Sequence, residues 1–222
     1  MIKFLYLDGM NVLLHKKIPE SFYFEKELGI SQDKYEEVIY EVVRLQGQQM
    51  TAEFWTLSTL DQEIDYMNRY NILLCKHLSI VPTSELVSRL TQYRVFADYE
   101  LAPGAYESIQ RISQKVKIGI LSNAMPSRRY HELKINNIDQ YFSMIILSRE
   151  VGFFKPSKQI YEIAEHQSGV KTDEIMFVDD KEKYLDGAAS IGWKHLYLFG
   201  AEKSDKYQNL TTFEEIADVI IV

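Results

Sequence analysis

Five short apolar runs constrain the fold of this chain more than any other feature of its sequence. Each run is four residues long, and they occupy positions 4–7, 118–121, 144–147, 175–178 and 196–199. None of them alternates with charged residues, which is typical of strands that are covered on both faces of a parallel sheet. The sequence therefore predicts a mainly parallel β-sheet.

Helical patterns separate most of these runs. Ile109 and Ile112 follow a Pro-Gly pair at helical spacing, and Ile160 and Ile163 follow Pro156, which suits the first turn of a helix. A third apolar stripe precedes the last run. Strands that alternate with helices predict an α/β fold, a doubly wound Rossmann-like core with helices on both faces of the sheet.

One long stretch, from about residue 15 to residue 93, contains no strand pattern. Tyr35, Val38 and Val42 recur there at helical spacing, and Ser31 is a suitable N-cap for that helix. We therefore expect a core domain formed by residues 1–16 and 94–222, with a small helical cap domain, 17–93, inserted after the first strand. The cap is expected to cover the carboxyl ends of the strands, where ligands bind in such sheets.

Composition narrows the possible functions. Twenty-five basic and 32 acidic residues leave a net charge of −7, which argues against broad binding to nucleic acid backbones. No apolar run approaches the roughly 20 residues that span a bilayer. The single cysteine, Cys75, cannot form an internal disulfide, and a cytoplasmic location is expected. The sequence does not indicate an oligomeric state.

Polar side chains follow four of the predicted strands at the point where each strand ends. These candidate site residues are Asp8, Ser122 with Asn123, Lys155, and Asp179 with Asp180. The carboxyl ends of parallel strands meet at one edge of a sheet, so residues that are distant in sequence can form one site there. The sequence therefore predicts an active site at this edge.

Four segments together resemble the motifs of the haloacid dehalogenase superfamily of hydrolases. They are residues 1–13, which end a strand in an aspartate, the Leu-Ser-Asn of 121–123, the Gly-Phe-Phe-Lys-Pro of 152–156, and the Phe-Val-Asp-Asp of 177–180. The four occur in the family's order and spacing across nearly the whole chain. The helical insert occupies the position of that family's small helical cap.

The resemblance implies a magnesium-dependent phosphatase that acts on a small phosphorylated metabolite. Asp8 is then the nucleophile, which forms an aspartyl-phosphate, and Ser122 and Lys155 are the other catalytic residues. Ser122, Asn123 and Lys155 are expected to bind the phosphate. The ligands expected for Mg²⁺ are Asp8, Asp179, Asp180 and the backbone carbonyl of Met10, with Asp179 acting directly or through a water.

Met10 departs from the pattern of the phosphatase branch, which usually has a second aspartate at this position as general acid and base. A thioether cannot relay a proton, and such catalysis typically contributes about 10²–10⁴-fold. Two alternatives therefore stay open. One is a metal-independent 2-haloacid dehalogenase, and the other is an impaired relative that binds a phosphorylated ligand or a partner.

Two further interpretations concern neighbouring residues. In an alternative register, Asp8 matches the family's second aspartate, which leaves Tyr6 at the nucleophile position and no nucleophile; we disfavour it. Arg128 and Arg129 follow the second motif and could approach a phosphate, but we interpret them as part of an exposed helix start.

Overall fold

The computed structural model describes residues 1–18, 20–45, 47–54, 56–96, 99–201 and 203–221. The chain forms two compact units, one comprising Met1–His15 and Glu100–Val222 and the other Lys16–Tyr99. Sequence reasoning set the junctions at 16/17 and 93/94, whereas the second unit runs from Lys16 to Tyr99, and its last helix continues past residue 93 to Val95. Within the described ranges, no helix has both the length and the apolar character that a membrane span requires.

The elements occur along the chain in the following order. The first half contains β1 (Phe4–Leu7), β2 (Leu14–Lys16), α1 (Glu20–Leu28), α2 (Gln32–Leu45), α3 (Gly47–Phe54), α4 (Leu60–His77), α5 (Ser84–Val95) and β3 (Tyr99–Leu101). The second half contains α6 (Ala105–Ser113), β4 (Lys117–Ser122), α7 (Pro126–Ile135), β5 (Phe142–Leu147), α8 (Ser148–Val151), α9 (Lys158–Ser168), β6 (Ile175–Asp179), α10 (Glu182–Ala189), β7 (His195–Phe199), β8 (Gln208–Leu210) and α11 (Phe213–Ile221).

Six strands form one parallel sheet in the order β5-β4-β1-β6-β7-β8. β1 lies in the middle, with Leu7 opposite Ile120 of β4 and Val178 of β6. This register places the carboxyl ends of β1, β4 and β6 side by side. The predicted doubly wound α/β fold with a parallel sheet is confirmed. The edge strand β8 and the two-stranded β2–β3 sheet were not predicted, because each of these strands has only three residues.

Tyr6 shows how the centre of the sheet is filled. Its side chain is fully buried, its hydroxyl donates a hydrogen bond to the Ala164 carbonyl (2.8 Å), and its ring stacks on that of Trp193. Gly119 on β4 makes room for this ring, since a Cβ there would lie 2.7 Å from it. Because Tyr6 belongs to the core, the alternative register that aligned it with the nucleophile position has no structural support.

The second unit has an apolar core of its own among its helices. Phe24, Val38, Leu74 and Leu90 are buried in it, and so is Cys75, where burial raises the pKa of the thiol. The predicted N-cap of α2 is present, because the Lys34 amide donates a hydrogen bond to the Ser31 hydroxyl (3.3 Å).

Gly187 allows α10 to pack closely against the segment that follows Lys155. A Cβ at this glycine would lie 2.7 Å from the carbonyl oxygen of Pro156 and 2.7 Å from the ring of Tyr161. The Tyr161 hydroxyl in turn donates to the Tyr184 carbonyl on α10 (2.7 Å). The absence of a side chain at position 187 therefore sets the distance between the helix after β6 and the turn that contains Lys155.

We expect Gly187→Ala to lower the free energy of unfolding by about 1–3 kcal/mol, because the added methyl group meets a backbone oxygen that cannot move cheaply. Alanine's better helix propensity offsets only ~0.5–1 kcal/mol of this loss. Urea unfolding followed by circular dichroism measures the change. Lys183→Ala, at an exposed position of the same helix, is the control and should change the value by less than about 0.5 kcal/mol. Equal stabilities for the two variants would contradict this account.

Candidate active site

Asp8 directly follows β1, and its backbone and side chain are both held. Its amide donates to the Val178 carbonyl (3.0 Å), which continues the pairing with β6 by one residue. In the side chain, Oδ1 lies 2.6 Å from Lys155 Nζ and Oδ2 accepts a hydrogen bond from the Met10 amide (3.1 Å). Since each oxygen has a separate partner, the plane of this nearly buried carboxylate is fixed.

Lys155 is the centre of the ionic contacts. Its side chain is fully buried, and Nζ lies 2.6 Å from Asp8 Oδ1 and 2.6 Å from Asp179 Oδ2. Burial alone would lower the pKa of this ammonium group, but the two carboxylates outweigh burial and raise it. Lys155 therefore stays charged. The ring of Tyr184 lies 4.9 Å from the ammonium nitrogen and adds a cation–π contact.

Asn123 holds the backbone of Lys155 through a reciprocal pair of hydrogen bonds. The Lys155 amide donates to Asn123 Oδ1 (2.8 Å), and Asn123 Nδ2 donates to the Lys155 carbonyl (3.0 Å). Both ends of the side-chain amide are thus engaged in positioning the lysine. A phosphate contact of Asn123, through its backbone N–H, stays a prediction. Ser122, the last residue of β4, is buried at the same edge of the sheet.

Asp179 and Asp180 end β6 and differ in exposure. Asp179 is completely buried; its Oδ2 meets Lys155, and its Oδ1 accepts a hydrogen bond from the Lys181 amide (2.9 Å). Burial, helped by the charge of Asp8, raises the pKa of Asp179 to about 7 against the opposing effect of Lys155. The Asp180 side chain retains 13% exposure, and its Oδ2 lies 3.3 Å from Lys181 Nζ.

The side chains of Asp8, Asp179 and Asp180 each offer one oxygen within 4.8 Å of the others. Mg²⁺ prefers hard oxygen donors, so the chemistry of this donor set fits the ion. Asp179 is completely buried, whereas Asp8 and Asp180 retain some exposure, which favours contact through a water for Asp179. Three carboxylates and the ammonium groups of Lys155 and Lys181 leave the site with a formal charge of −1, which also suits a dication.

Asn11 is a site residue that sequence reasoning missed. Its Nδ2 donates to Asp180 Oδ2 (2.9 Å), which links the loop after β1 to the end of β6. Its backbone φ of 62° lies in the left-handed region, which asparagine tolerates better than most residues. An asparagine three positions after the strand-end aspartate was the available signal.

Arg129 is not part of an exposed helix start, so that interpretation was wrong. It is 3% exposed, and its Nη1 lies 2.7 Å from Oε2 of the equally buried Glu132. Since α7 begins at Pro126, Arg129 is one turn into the helix, on the face that packs inward. Its guanidinium adjoins Gly9, the residue after Asp8. The side chain of Arg128 lies outside the described part of the chain.

Relatives of known activity share parts of this sequence. Pyrimidine 5'-nucleotidase YjjG of Escherichia coli K12 is 30% identical over 98 residues, which are 43% of this chain and 44% of that protein. The (S)-2-haloacid dehalogenase of Pseudomonas sp. strain YL is 23% identical over 162 residues, which are 71% of this chain and 69% of that protein. The chain thus spans less than half the length of the nucleotidase.

A solved structure shows the same fold over the full length of the chain. The HAD-hydrolase YfnB of Bacillus subtilis, solved bound to magnesium, superposes with a TM-score of 0.71 and 15% identity, covering 100% of this chain and 99% of that one. The sequence also matches the family of haloacid dehalogenase-like hydrolases over residues 11–192, most of the chain, although that match begins after Asp8. This protein is therefore a hydrolase of the haloacid dehalogenase superfamily.

Proposed function

We propose that this hydrolase is a magnesium-dependent phosphatase that cleaves a small phosphorylated metabolite through an aspartyl-phosphate on Asp8. The observation that carries the proposal is the carboxylate cluster of Asp8, Asp179 and Asp180, with the Lys155 ammonium 2.6 Å from two of its members. The proposal includes a cytoplasmic location and selection of the substrate by the helical insert, residues 17–93.

The charge of the site supports a requirement for metal. With a formal charge of −1, the site would repel a phosphate monoester dianion, because Lys155 is already shared by two carboxylates and Lys181 is paired with Asp180. A bound Mg²⁺ would neutralise the charge that develops on the phosphoryl oxygens. We infer that Asp8 and Asp180 hold this ion directly, that Asp179 does so through a water, and that the Met10 carbonyl is a further ligand.

The residues of the site then have distinct functions in two displacements. An oxygen of Asp8 attacks phosphorus, the bond from phosphorus to the ester oxygen breaks, and that oxygen leaves with the electron pair and takes a proton from solvent to become the alcohol. Lys155 stabilises the phosphoryl charge, while Ser122 and the Asn123 amide bind its oxygens. A water then attacks the phosphorus, the Asp8–phosphorus bond breaks, and phosphate leaves. Met10 can neither protonate the departing ester oxygen nor deprotonate the water, so solvent supplies the first proton and accepts the second.

A haloacid dehalogenase is the second candidate, and Met10 is the observation that favours it. Halide leaves without a proton, so a thioether at this position costs such an enzyme nothing, and one relative is a dehalogenase. Asp180 argues against this candidate. A 2-haloacid carries a carboxylate, and without a metal it would enter a site whose formal charge is already −1.

The first experiment measures turnover of a panel of phosphorylated metabolites, with Mg²⁺ and with excess chelator. We expect hydrolysis that the chelator abolishes and that Asp8→Asn lowers by about 10³-fold or more, because the amide is not a nucleophile. Asp173→Asn, an exposed residue at the other end of β6, is the matched control and should keep full activity.

The same proteins should also be tested with 2-chloropropionate. Halide release that survives the chelator would replace the phosphatase proposal with the dehalogenase. Binding of phosphorylated ligands by both the wild type and Asp8→Asn, without turnover by either, would indicate an impaired relative instead.

Met10→Asp should make the enzyme faster. A second aspartate supplies the missing general acid and base, worth about 10²–10⁴-fold at most, so we expect kcat for an alkyl phosphate to rise at least about 10-fold. The gain should be smaller for p-nitrophenyl phosphate, whose leaving group needs little protonation. Met10→Leu is the control and should not change this ratio. Equal changes for both substrates would argue against a missing acid.

A substrate with a labelled phosphoryl group provides a second measurement on the same variants, which is the amount of label held on Asp8. Because water attack lacks a base in the wild type, more label should remain on Asp8 at steady state than in Met10→Asp. If the wild type retains no label during turnover, slow hydrolysis of the intermediate is excluded.

Asn11→Gly should weaken activation by Mg²⁺. The hydrogen bond to Asp180 orients a proposed metal ligand, and loss of such a partner typically costs 10–100-fold in metal affinity. Glycine keeps the left-handed backbone, so the change isolates the amide. We expect the Mg²⁺ concentration for half-maximal activity to rise about 10-fold, with kcat at saturating metal nearly unchanged. Asn137→Gly, with a φ of 54° at an exposed position, is the control. An unchanged Mg²⁺ requirement in Asn11→Gly would refute this role.

A further inference from the structure

A buried ion pair adjoins the loop that carries Asp8. Arg129 and Glu132 lie three residues apart on α7, each side chain is 4% exposed, and Nη1 and Oε2 are 2.7 Å apart. Taking two charges out of water costs several kcal/mol per ion, and apolar residues of similar size often stabilise a fold as well or better. Stability alone therefore explains this pair poorly, and its location suggests another role.

The Arg129 guanidinium packs against Gly9. A Cβ built on Gly9 would lie 2.6 Å from Arg129 Cζ, 2.7 Å from Nη2 and 2.9 Å from Nε. Gly9 does not have a left-handed backbone, since its φ lies outside the range that disfavours other residues. The glycine at this position is thus explained by the neighbouring guanidinium rather than by backbone geometry.

Gly9 connects the proposed nucleophile to the loop that follows it. It follows Asp8 directly, and its carbonyl accepts a hydrogen bond from the Leu14 amide (2.9 Å), which closes the loop. The Asp8 backbone is held by Val178 on one flank of the sheet. The planar guanidinium covers the next residue of the loop. Any shift of Gly9 toward Arg129 would change the direction in which the Asp8 carboxylate points.

We propose that Arg129, held by Glu132, is a positioning residue whose guanidinium fixes Gly9 and thereby the aim of the Asp8 carboxylate. Arg129 acts by packing and by its rigid planar shape. Glu132 neutralises it, so the pair adds no net charge beside the site. The kinetic part of this inference rests on the proposed phosphatase function, whereas the packing part does not.

The test is a double-mutant cycle of Gly9→Ala, Arg129→Ala and the two combined. A displacement of about 1 Å at a reacting group can cost about 10²-fold. We expect Gly9→Ala to lower kcat by about that factor and Arg129→Ala by roughly 10-fold, each with KM changed less than about threefold. Removing the guanidinium makes room for the new methyl group, so the double variant should be at least about 10-fold more active than Gly9→Ala alone.

Arg111→Ala, an exposed arginine on α6, is the matched control and should retain wild-type kinetics. Arg129→Lys tests shape against charge: lysine keeps the charge but lacks the plane, so it should resemble Arg129→Ala. A double variant that is no better than Gly9→Ala, or an Arg129→Ala protein with wild-type kcat, would overturn the proposal.

Hydrogen exchange tests this inference independently of the proposed phosphatase reaction. The Leu14 amide, bonded to the Gly9 carbonyl, should exchange faster in both single variants than in the wild type, and the double variant should recover part of the protection relative to Gly9→Ala. If the wild type hydrolyses no phosphate ester but the exchange pattern holds, the proposed function fails and the positioning role stands. If turnover is present and exchange at Leu14 does not respond to Arg129→Ala, the positioning role fails alone.

Discussion

The Lys155 ammonium, fully buried between the carboxylates of Asp8 and Asp179, is the interaction on which the rest of the site depends. A buried cation is tolerable only when opposite charges and hydrogen bonds replace its water. Lys155 must therefore meet Asp8, 147 positions away, and Asp179, 24 positions away, within hydrogen-bonding distance. Adjacent parallel strands achieve this, because β1 and β6 end side by side and deliver Asp8 and Asp179 to the same edge. Asn123 then fixes the position of the lysine backbone, because its side chain forms hydrogen bonds with both the carbonyl and the amide of Lys155.

Much of the sheet was predictable from short apolar runs, since strands that are covered on both faces must be apolar at consecutive positions. The five runs correspond to β1, β4, β5, β6 and β7. The edge strand β8 escaped prediction because its sequence, Gln-Asn-Leu, has one buried residue. The convergence of Asp8, Lys155 and the two aspartates was likewise predictable. A polar residue after an apolar run indicates the end of a strand, and the ends of parallel strands meet at one edge of the sheet.

What could not be predicted depends on contacts between distant segments. Arginines are rarely buried without a partner, so the sequence favours an exposed Arg129, and its neighbours along the chain do not reveal that Gly9 adjoins it. The same holds for Asn11, whose bond to Asp180 joins residues 169 positions apart. Tyr184 follows the acidic pair by only a few residues, yet its ring beside the Lys155 ammonium is visible only in three dimensions.

Lys155 and Arg129 are both buried near Asp8, but different carboxylates compensate their charges. Lys155 contacts two carboxylates of the site itself, so its charge is part of the electrostatic balance that a phosphate and a metal would meet. Arg129 has a carboxylate of its own helix at 2.7 Å, and the pair is neutral. If Arg129 served to attract phosphate, a buried glutamate at that distance would largely cancel the attraction. Arg129 acts on Gly9 through packing. A guanidinium suits this role because its plane is rigid and its buried charge is already compensated by Glu132.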